Sequence, residues 1–279
     1  MTNLRFIDRN ASAPMFGLAV AYPSTGALER IGPDWDWIWL DAQHGDLDFR
    51  EAADLVRVCD LIHRPALVRV PAQDPGWISK ILDAGAAGVI VPMIESIQEA
   101  KAMIMAAKFP PLGNRSYGGR RVIDRAGRGY YRSANRDTLL VLQLESNEAV
   151  AQAASLAALD GVDGLFLGPD DLMIRQGADV DAPKNRESIG RQSREVAENC
   201  RKFDKLVVGL GVSDAGMAIA KEDGYNLIVG GGDVGFLAGG SKAAAQKLRS
   251  YFPSEPKEGF TAPASRVAQD NGSVAGRLY

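Results

Sequence analysis

The chain has 279 residues, 46% apolar and 24% charged, enough for one large domain with a sizeable core or for two small ones. The net charge of −3 argues against a nucleic-acid or anionic-membrane surface, and no apolar run approaches the roughly 18 residues that a membrane span needs. Cys59 and Cys200 fall in helix-like stretches without metal-ligand spacing, and the N-terminus (MTNLRFIDRN) has no apolar signal region, so both read as reduced thiols of a cytoplasmic protein.

Residues 17–22 (GLAVAY) form a first strand, closed by a Pro23-Ser24-Thr25-Gly26 turn. Residues 37–40 (WIWL) form a second, ending in Asp41-Ala42-Gln43-His44-Gly45-Asp46, and residues 49–62 carry apolar side chains at helical spacing. Residues 65–70 (PALVRV) make strand three, stopped by Pro71, and residues 75–83 a short helix with proline near its start. Strand four (GVIV, 88–91) is stopped by Pro92. Ser96 and Glu99 form a capping-box pattern at the head of a helix that runs to residue 107. Residues 113–136 lack periodicity, hold seven arginines, and read as a long functional or mobile loop.

Strand five (TLLVLQL, 138–144) leads into a helix over 146–158, and strand six (GLFL, 164–167) into a helical turn over 170–176. A longer helix covers 187–202. Strand seven (206–209) and its helix (213–222) follow, then strand eight (226–229) and the helix 234–248. Eight strands, most followed by a helix, over about 250 residues predict an α/β chain folded as a (β/α)8 TIM barrel spanning residues 1–252. The rival, a doubly wound open sheet, would want a Gly-rich phosphate turn after strand one, and Pro23-Ser24-Thr25-Gly26 is not one. Residues 253–279, rich in Pro, Ser and Gly, read as a poorly ordered or partner-dependent tail.

In a barrel the active site lies at the C-terminal ends of the strands. Those ends supply Asp41, Gln43 and His44, then Arg69, then Gln143 and Glu145, then Gly168, Pro169, Asp170 and Asp171, whereas the strand bodies are almost wholly apolar. Glu145 and Asp171 are hard oxygen ligands suited to Mg2+ or Mn2+, with positions left for water and a chelating 2-oxo acid; either alone could instead cap a helix. A cation there would act as a Lewis acid on an enolate oxygen. Arg69 could stabilise that oxygen, or be a buried partner of Asp41, or both. His44 is a candidate general base, although a loop histidine is more often solvated. No lysine stands at a strand's C-terminal end, which disfavours a Schiff-base mechanism. The glycines after strands seven and eight (209, 211 and 230–232) are open to two readings, a phosphate site or tight turns.

The chain resembles the metal-dependent class II pyruvate aldolases, which include 4-hydroxy-2-oxoheptanedioate and 2-dehydro-3-deoxyglucarate aldolases. The resemblance runs from about residue 17 to 248. It rests on LDAQHG (40–45), VRVP (68–71), LDAGA (82–86), VPM (91–93), PPLG (110–113), QLES (143–146) and LGPDDL (167–172). It implies Glu145 and Asp171 as ligands of a divalent cation (Mg2+ or Mn2+, with Co2+ a third candidate). It further implies His44 as proton acceptor, Asp83 as the acid that raises its basicity, and Arg69 as transition-state stabiliser. Gln143 and the main chain around Gly168, Pro169, Asp170 and Asp171 would contact the 2-oxo acid, with an aldehyde as second substrate. It also implies a homo-oligomer, a hexamer built from dimers with exchanged C-terminal helices, placing the Arg-rich stretch near the site or at a subunit contact. Two departures stand out. Gln43 replaces a common Glu and removes a negative charge beside His44; Asp170 replaces a small residue and adds a carboxylate near the metal. The expected activity is aldol cleavage of a 4-hydroxy-2-oxo acid. The alternatives are an oxaloacetate-type decarboxylase with the same site and a catalytically silent barrel serving assembly.

Overall fold

A computed structural model describes residue 7 and residues 13–252 of the chain; the expected tail lies outside the described residues. Eight parallel strands close into a barrel, each paired with its sequence neighbours and β1 with β8. They are β1 Met15–Val20, β2 Trp37–Asp41, β3 Ala66–Arg69, β4 Gly88–Val91, β5 Leu139–Leu144, β6 Gly164–Leu167, β7 Leu206–Leu210 and β8 Leu227–Gly232. The helices are α1 Thr25–Ile31, α2 Phe49–Leu61, α3 Pro75–Asp83, α4 Ile97–Ala107, α5 Arg120–Ala126, α6 Tyr131–Asp137, α7 Asn147–Val150, α8 Ala153–Ala157, α9 Pro169–Arg175, α10 Gly190–Lys202, α11 Asp214–Glu222 and α12 Asp233–Tyr251. The open-sheet alternative is thereby excluded.

The strands read as unbroken apolar runs because both of their faces are buried. Ile38, Leu40, Val68, Val89, Val91, Leu140 and Leu142 pack outward against the helices. The alternate residues Trp37, Trp39, Leu67, Ile90, Leu139, Val141, Phe166, Val208, Leu227 and Val229 fill the barrel interior. The two-residue period then carries Asp41, Arg69, Gln143 and Gly168 onto the same inward face at the strands' C-terminal ends. The interior is thus apolar for most of its height and polar in its last layer.

Three elements differ from the expectation. The turn after β1 opens a helix: the Ser24 hydroxyl caps the Ala27 amide of α1 at 3.3 Å. The Arg-rich stretch is not a structureless loop. It holds α5, a single 3-10 turn at Arg128–Tyr130, and α6, flanked by Gly119 and Gly127 at positive φ. Periodicity is hidden there because these three short elements bury only Val122, Tyr130 and Ala134, in a small satellite core with Phe109. The helix expected over 146–158 is broken into α7 and α8 at Gln152. That residue leaves helical backbone (φ −97°, ψ 3°), and its side-chain amide donates to the Glu95 carbonyl at 2.7 Å.

Cys59 and Cys200 are free and buried as expected, and burial pushes both thiols up, Cys200 to about 12. Among the described residues no helix is long and apolar enough to cross a membrane.

Candidate active site

The register pairs Asp41 directly with Arg69. Arg69 Nε and Nη2 donate to Asp41 Oδ1 and Oδ2 at 2.8 and 2.6 Å, and both residues are buried. The guanidinium lies over the Trp39 ring, 4.7 Å from its centroid. A bidentate pair resting on an indole face has one geometry, so Arg69 is a fixed charge. Asp41 Oδ1 also accepts from the amides of Gln43 (3.1 Å) and His44 (3.4 Å), tying the turn that carries the exposed His44 to the same pair. That turn needs glycine at 45: a Cβ there would stand 2.4 Å from the Asp41 carbonyl and 2.8 Å from that of Ala21.

Glu145 closes β5 and is buried. Its Oε2 accepts from the Met93 amide at 2.8 Å and its Oε1 from the Gln143 side chain. Met93 follows the proline that stops β4 and holds a left-handed backbone (φ 60°), with its carbonyl accepting from Gln73 Nε2 at 2.6 Å. Met93 was missed in the sequence; the signal available was Pro92, which ends the strand and turns the next amide inward. Burial pushes the Glu145 carboxyl up and the charge of Asp171 adds to this, against the opposing pull of the Met93 amide, the Arg69 charge and Gln143. A buried carboxyl raised in this way beside a second carboxylate is a demand for positive charge.

Gly168 makes the approach possible. A Cβ there would lie 2.7 Å from Glu145 Cγ and 2.9 Å from Gln143 Nε2. Gly168 and Pro169 are buried and open α9, whose first turn bears Asp170 and Asp171. Asp170 turns away to Lys184 Nζ at 2.8 Å, with nearly half of its side chain exposed, so the carboxylate expected near the metal is engaged elsewhere. Gln143 Oε1 and Gln43 Oε1 are buried without a hydrogen-bond partner among the described residues.

Asp83 is not brought to His44. It ends α3, which runs back from β3 toward the opposite end of the barrel, and the whole of β4 separates the two levels, about 13 Å at roughly 3.3 Å per residue. There its Oδ1 accepts from Arg115 Nη2 at 2.6 Å. The glycines expected after strands seven and eight fall mostly within β7 and β8 and are sites of close packing: Cβ atoms at 209 and 231 would strike the rings of Tyr225 (2.1 Å) and Phe236 (2.6 Å). Asp233, beyond them, binds the Ala21 and Tyr22 amides at 3.0 Å each and seams β8 to β1.

The donor set fits a hard divalent cation. Two adjacent carboxylates, one pushed toward protonation by burial, lie beside an orphaned amide oxygen and in a cradle that a Cβ would fill. Among the described residues no group of three or more His, Cys, Asp or Glu side chains could hold a metal ion, so most of the coordination would fall to water and substrate.

A closed parallel barrel with a buried Asp–Arg pair and a carboxylate cluster at its C-terminal end has the layout of a barrel enzyme. Residues 27–218 match the family model described as HpcH/HpaI aldolase/citrate lyase, and the chain belongs to that family, a family of carbon–carbon lyases. It is 30% identical over 225 residues to a hydroxypyruvate/pyruvate aldolase of Rhizorhabdus wittichii, covering 80% of this chain and 88% of that protein. It is 36% identical over 164 residues to a 4-hydroxy-2-oxovalerate aldolase of Novosphingobium aromaticivorans, covering 58% and 62%. Among solved structures, an HpcH/HpaI aldolase/citrate lyase family protein from Burkholderia cenocepacia J2315 superposes with a TM-score of 0.77 at 30% identity, covering 86% of this chain and 96% of that one.

Proposed function

We propose that the chain cleaves, and in reverse forms, the C3–C4 bond of a 4-hydroxy-2-oxo acid, giving pyruvate and an aldehyde. The observation that carries this reading is the polar last layer of the barrel. A rigid Arg69 there faces a buried Glu145 that lies in the field of Asp171, beside a Gln143 whose Oε1 has no partner among the described residues. Glu145 and Asp171 would hold the divalent cation, Mg2+ or Mn2+ with Co2+ a third candidate, which when bound supplies Lewis acidity at the 2-oxo oxygen. Gln143 and the main chain of residues 168–171 orient the acid; the first-turn amides of α9 have no acceptor within their helix. Arg69, held by Asp41, stabilises the oxyanion that develops as the bond breaks. His44 takes the proton of the 4-hydroxyl, with its turn set by Asp41.

Asp83 of the same chain lies at the far end of the barrel. If Asp83 is the acid that serves His44, it comes from a second copy, in keeping with a homo-oligomer, a hexamer built from dimers, which we place in the cytoplasm. Exposed Leu237, Leu248, Tyr251 and Phe252 on and just after α12 are consistent with an exchanged C-terminal helix. The domain reading, a barrel to residue 252 followed by a separate tail, belongs to the same proposal.

Exchange of the pyruvate methyl protons in heavy water, followed by proton NMR, tests the reading. Exchange is expected with Mg2+ or Mn2+, is lost with chelator, and is lost in Asp171→Ala, which keeps its fold because residue 171 is only partly buried. Metal-dependent turnover retained in Asp171→Ala would sink the assignment.

A further inference from the structure

Glu145 and Asp171 stand on different elements, one at the end of β5 and the other in the first turn of α9. The ladder between β5 and β6 ends at Leu144 and Leu167, with one more bond from the Gly168 amide to the Leu144 carbonyl at 2.9 Å. It stops short of both carboxylates, so strand pairing does not set the one against the other. Side chains make the missing link. Arg175 follows Asp171 by four residues, the spacing that puts both on one face of α9, a turn apart. Its Nη1 donates to Glu95 Oε1 and its Nη2 to Met93 Sδ at 3.3 Å. The other oxygen of Glu95 accepts from the hydroxyl of Ser146, the buried residue next to Glu145, at 2.6 Å.

We propose that Glu95 and Arg175 are positioning residues, a clasp that sets Glu145 and Asp171 at the spacing a divalent cation needs. The proposal rests on the reading that these two carboxylates hold the cation. One carboxylate oxygen of Glu95 is spent on each ligand's element, α9 through Arg175 and the end of β5 through Ser146. Met93 is gripped by the same arginine, and its amide holds Glu145 Oε2 at 2.8 Å. Glu95 itself is anchored at both backbone ends: its amide donates to Glu99 Oε2 and its carbonyl accepts from Gln152 Nε2, each at 2.7 Å. The fold does not need the clasp. About a third of each side chain of the pair lies in solvent, where an ion pair adds little stability, and α9 is anchored separately by the buried Leu172 and Met173.

The test is titration of chelator-treated, full-length protein with Mn2+, the free ion being followed by electron paramagnetic resonance. Glu95→Gln and Arg175→Met should each weaken Mn2+ binding about tenfold, the scale of losing a partner that orients a metal ligand. In Glu95→Gln the single amide oxygen cannot serve both Ser146 and Arg175. The signs separate geometry from charge. Removing the cation at 175 would by field alone tighten Mn2+, and removing the anion at 95 would weaken it; a clasp weakens both. The double variant should also lose only about tenfold, because either change opens the same link. Melting temperatures in chelator should stay at the wild-type value. Arg175→Met that binds Mn2+ as tightly as the wild type or tighter would overturn the clasp, as would a double variant about a hundredfold weaker. Variants that melt well below the wild type in chelator would make the pair a structural tie and overturn it equally. Equal Mn2+ binding by the wild type and Asp171→Ala would instead remove the metal reading itself, and the clasp with it.

Discussion

The two ends of the barrel each bury an ion pair, and they are finished differently. At the N-terminal end Lys108, nearly inaccessible, donates to the Asn135 and Thr138 carbonyls and to Asp163 at 3.0, 2.7 and 2.6 Å. Asp163 Oδ2 takes a further bond from the Leu140 amide at 2.6 Å. Here the ammonium's three donors have three acceptors. At the C-terminal end Asp41 and Arg69 are as well paired, but the groups around them are not: the Oε1 atoms of Gln43 and Gln143 have no partner among the described residues, and Glu145 is pushed toward protonation. A closed network holds a fold together. An open one of the same kind, in the same barrel, is built for something that arrives later.

The largest effect that could break this contrast is expected at Glu145. Glu145→Gln keeps the shape and removes the charge, and turnover should fall about a hundred- to a thousandfold. Stability should move the other way. Burial raises the Glu145 carboxyl, and a raised carboxyl contributes stability only below its ordinary range, so at neutral pH the charge is a cost that the amide removes. In chelator-treated protein the variant should melt at or above the wild-type temperature. Added Mg2+ should then raise the wild type alone. A variant that melts well below the wild type in chelator would make Glu145 a structural group and erase the difference between the ends.

The mirror experiment is Lys108→Met. It strands the buried Asp163 carboxylate and should destabilise the chain by about 3–5 kcal/mol by denaturant titration. Turnover per folded molecule should be unchanged, because the site lies at the other end. A specific-activity loss in proportion to that at Glu145 would show that the two networks act as one.

Legibility in the sequence follows the same division. The barrel is readable because buried strands leave continuous apolar runs, and the polar layer because Asp41, Arg69, Gln143 and Gly168 break those runs at one end of each strand. Side-chain partners across strands are readable only where register is simple, as for Asp41 and Arg69. Met93 acts through its amide, which no residue type announces. Asp83 could be named from resemblance, but its level in the barrel depends on the direction of α3, a property of the fold. The α5–α6 helices escaped because arginines on their exposed faces mask a period that two or three buried residues sustain.

The smallest expected effect is at a pair outside both networks and gives their scale. Burial by itself would raise the Asp223 carboxyl. The bonds from Arg186 (2.7 and 2.8 Å) and Ser193, with the charge of Arg186, outweigh it and hold the group below the usual carboxylate range. A lowered carboxyl contributes stability above its ordinary value near about 3.9, and the contribution disappears as pH falls through the folded value. Asp223→Asn should therefore lower stability at pH 7 and flatten its decline between about pH 4 and pH 2. The change should be smaller than at Lys108, because Arg186 keeps 28% of its side chain in solvent, where screening weakens the pair. Denaturant midpoints measured at both pH values decide the point. An acid limb as steep as the wild type's would mean that Asp223 titrates as it does in the unfolded chain, and that only the two barrel ends hold charges whose burial matters.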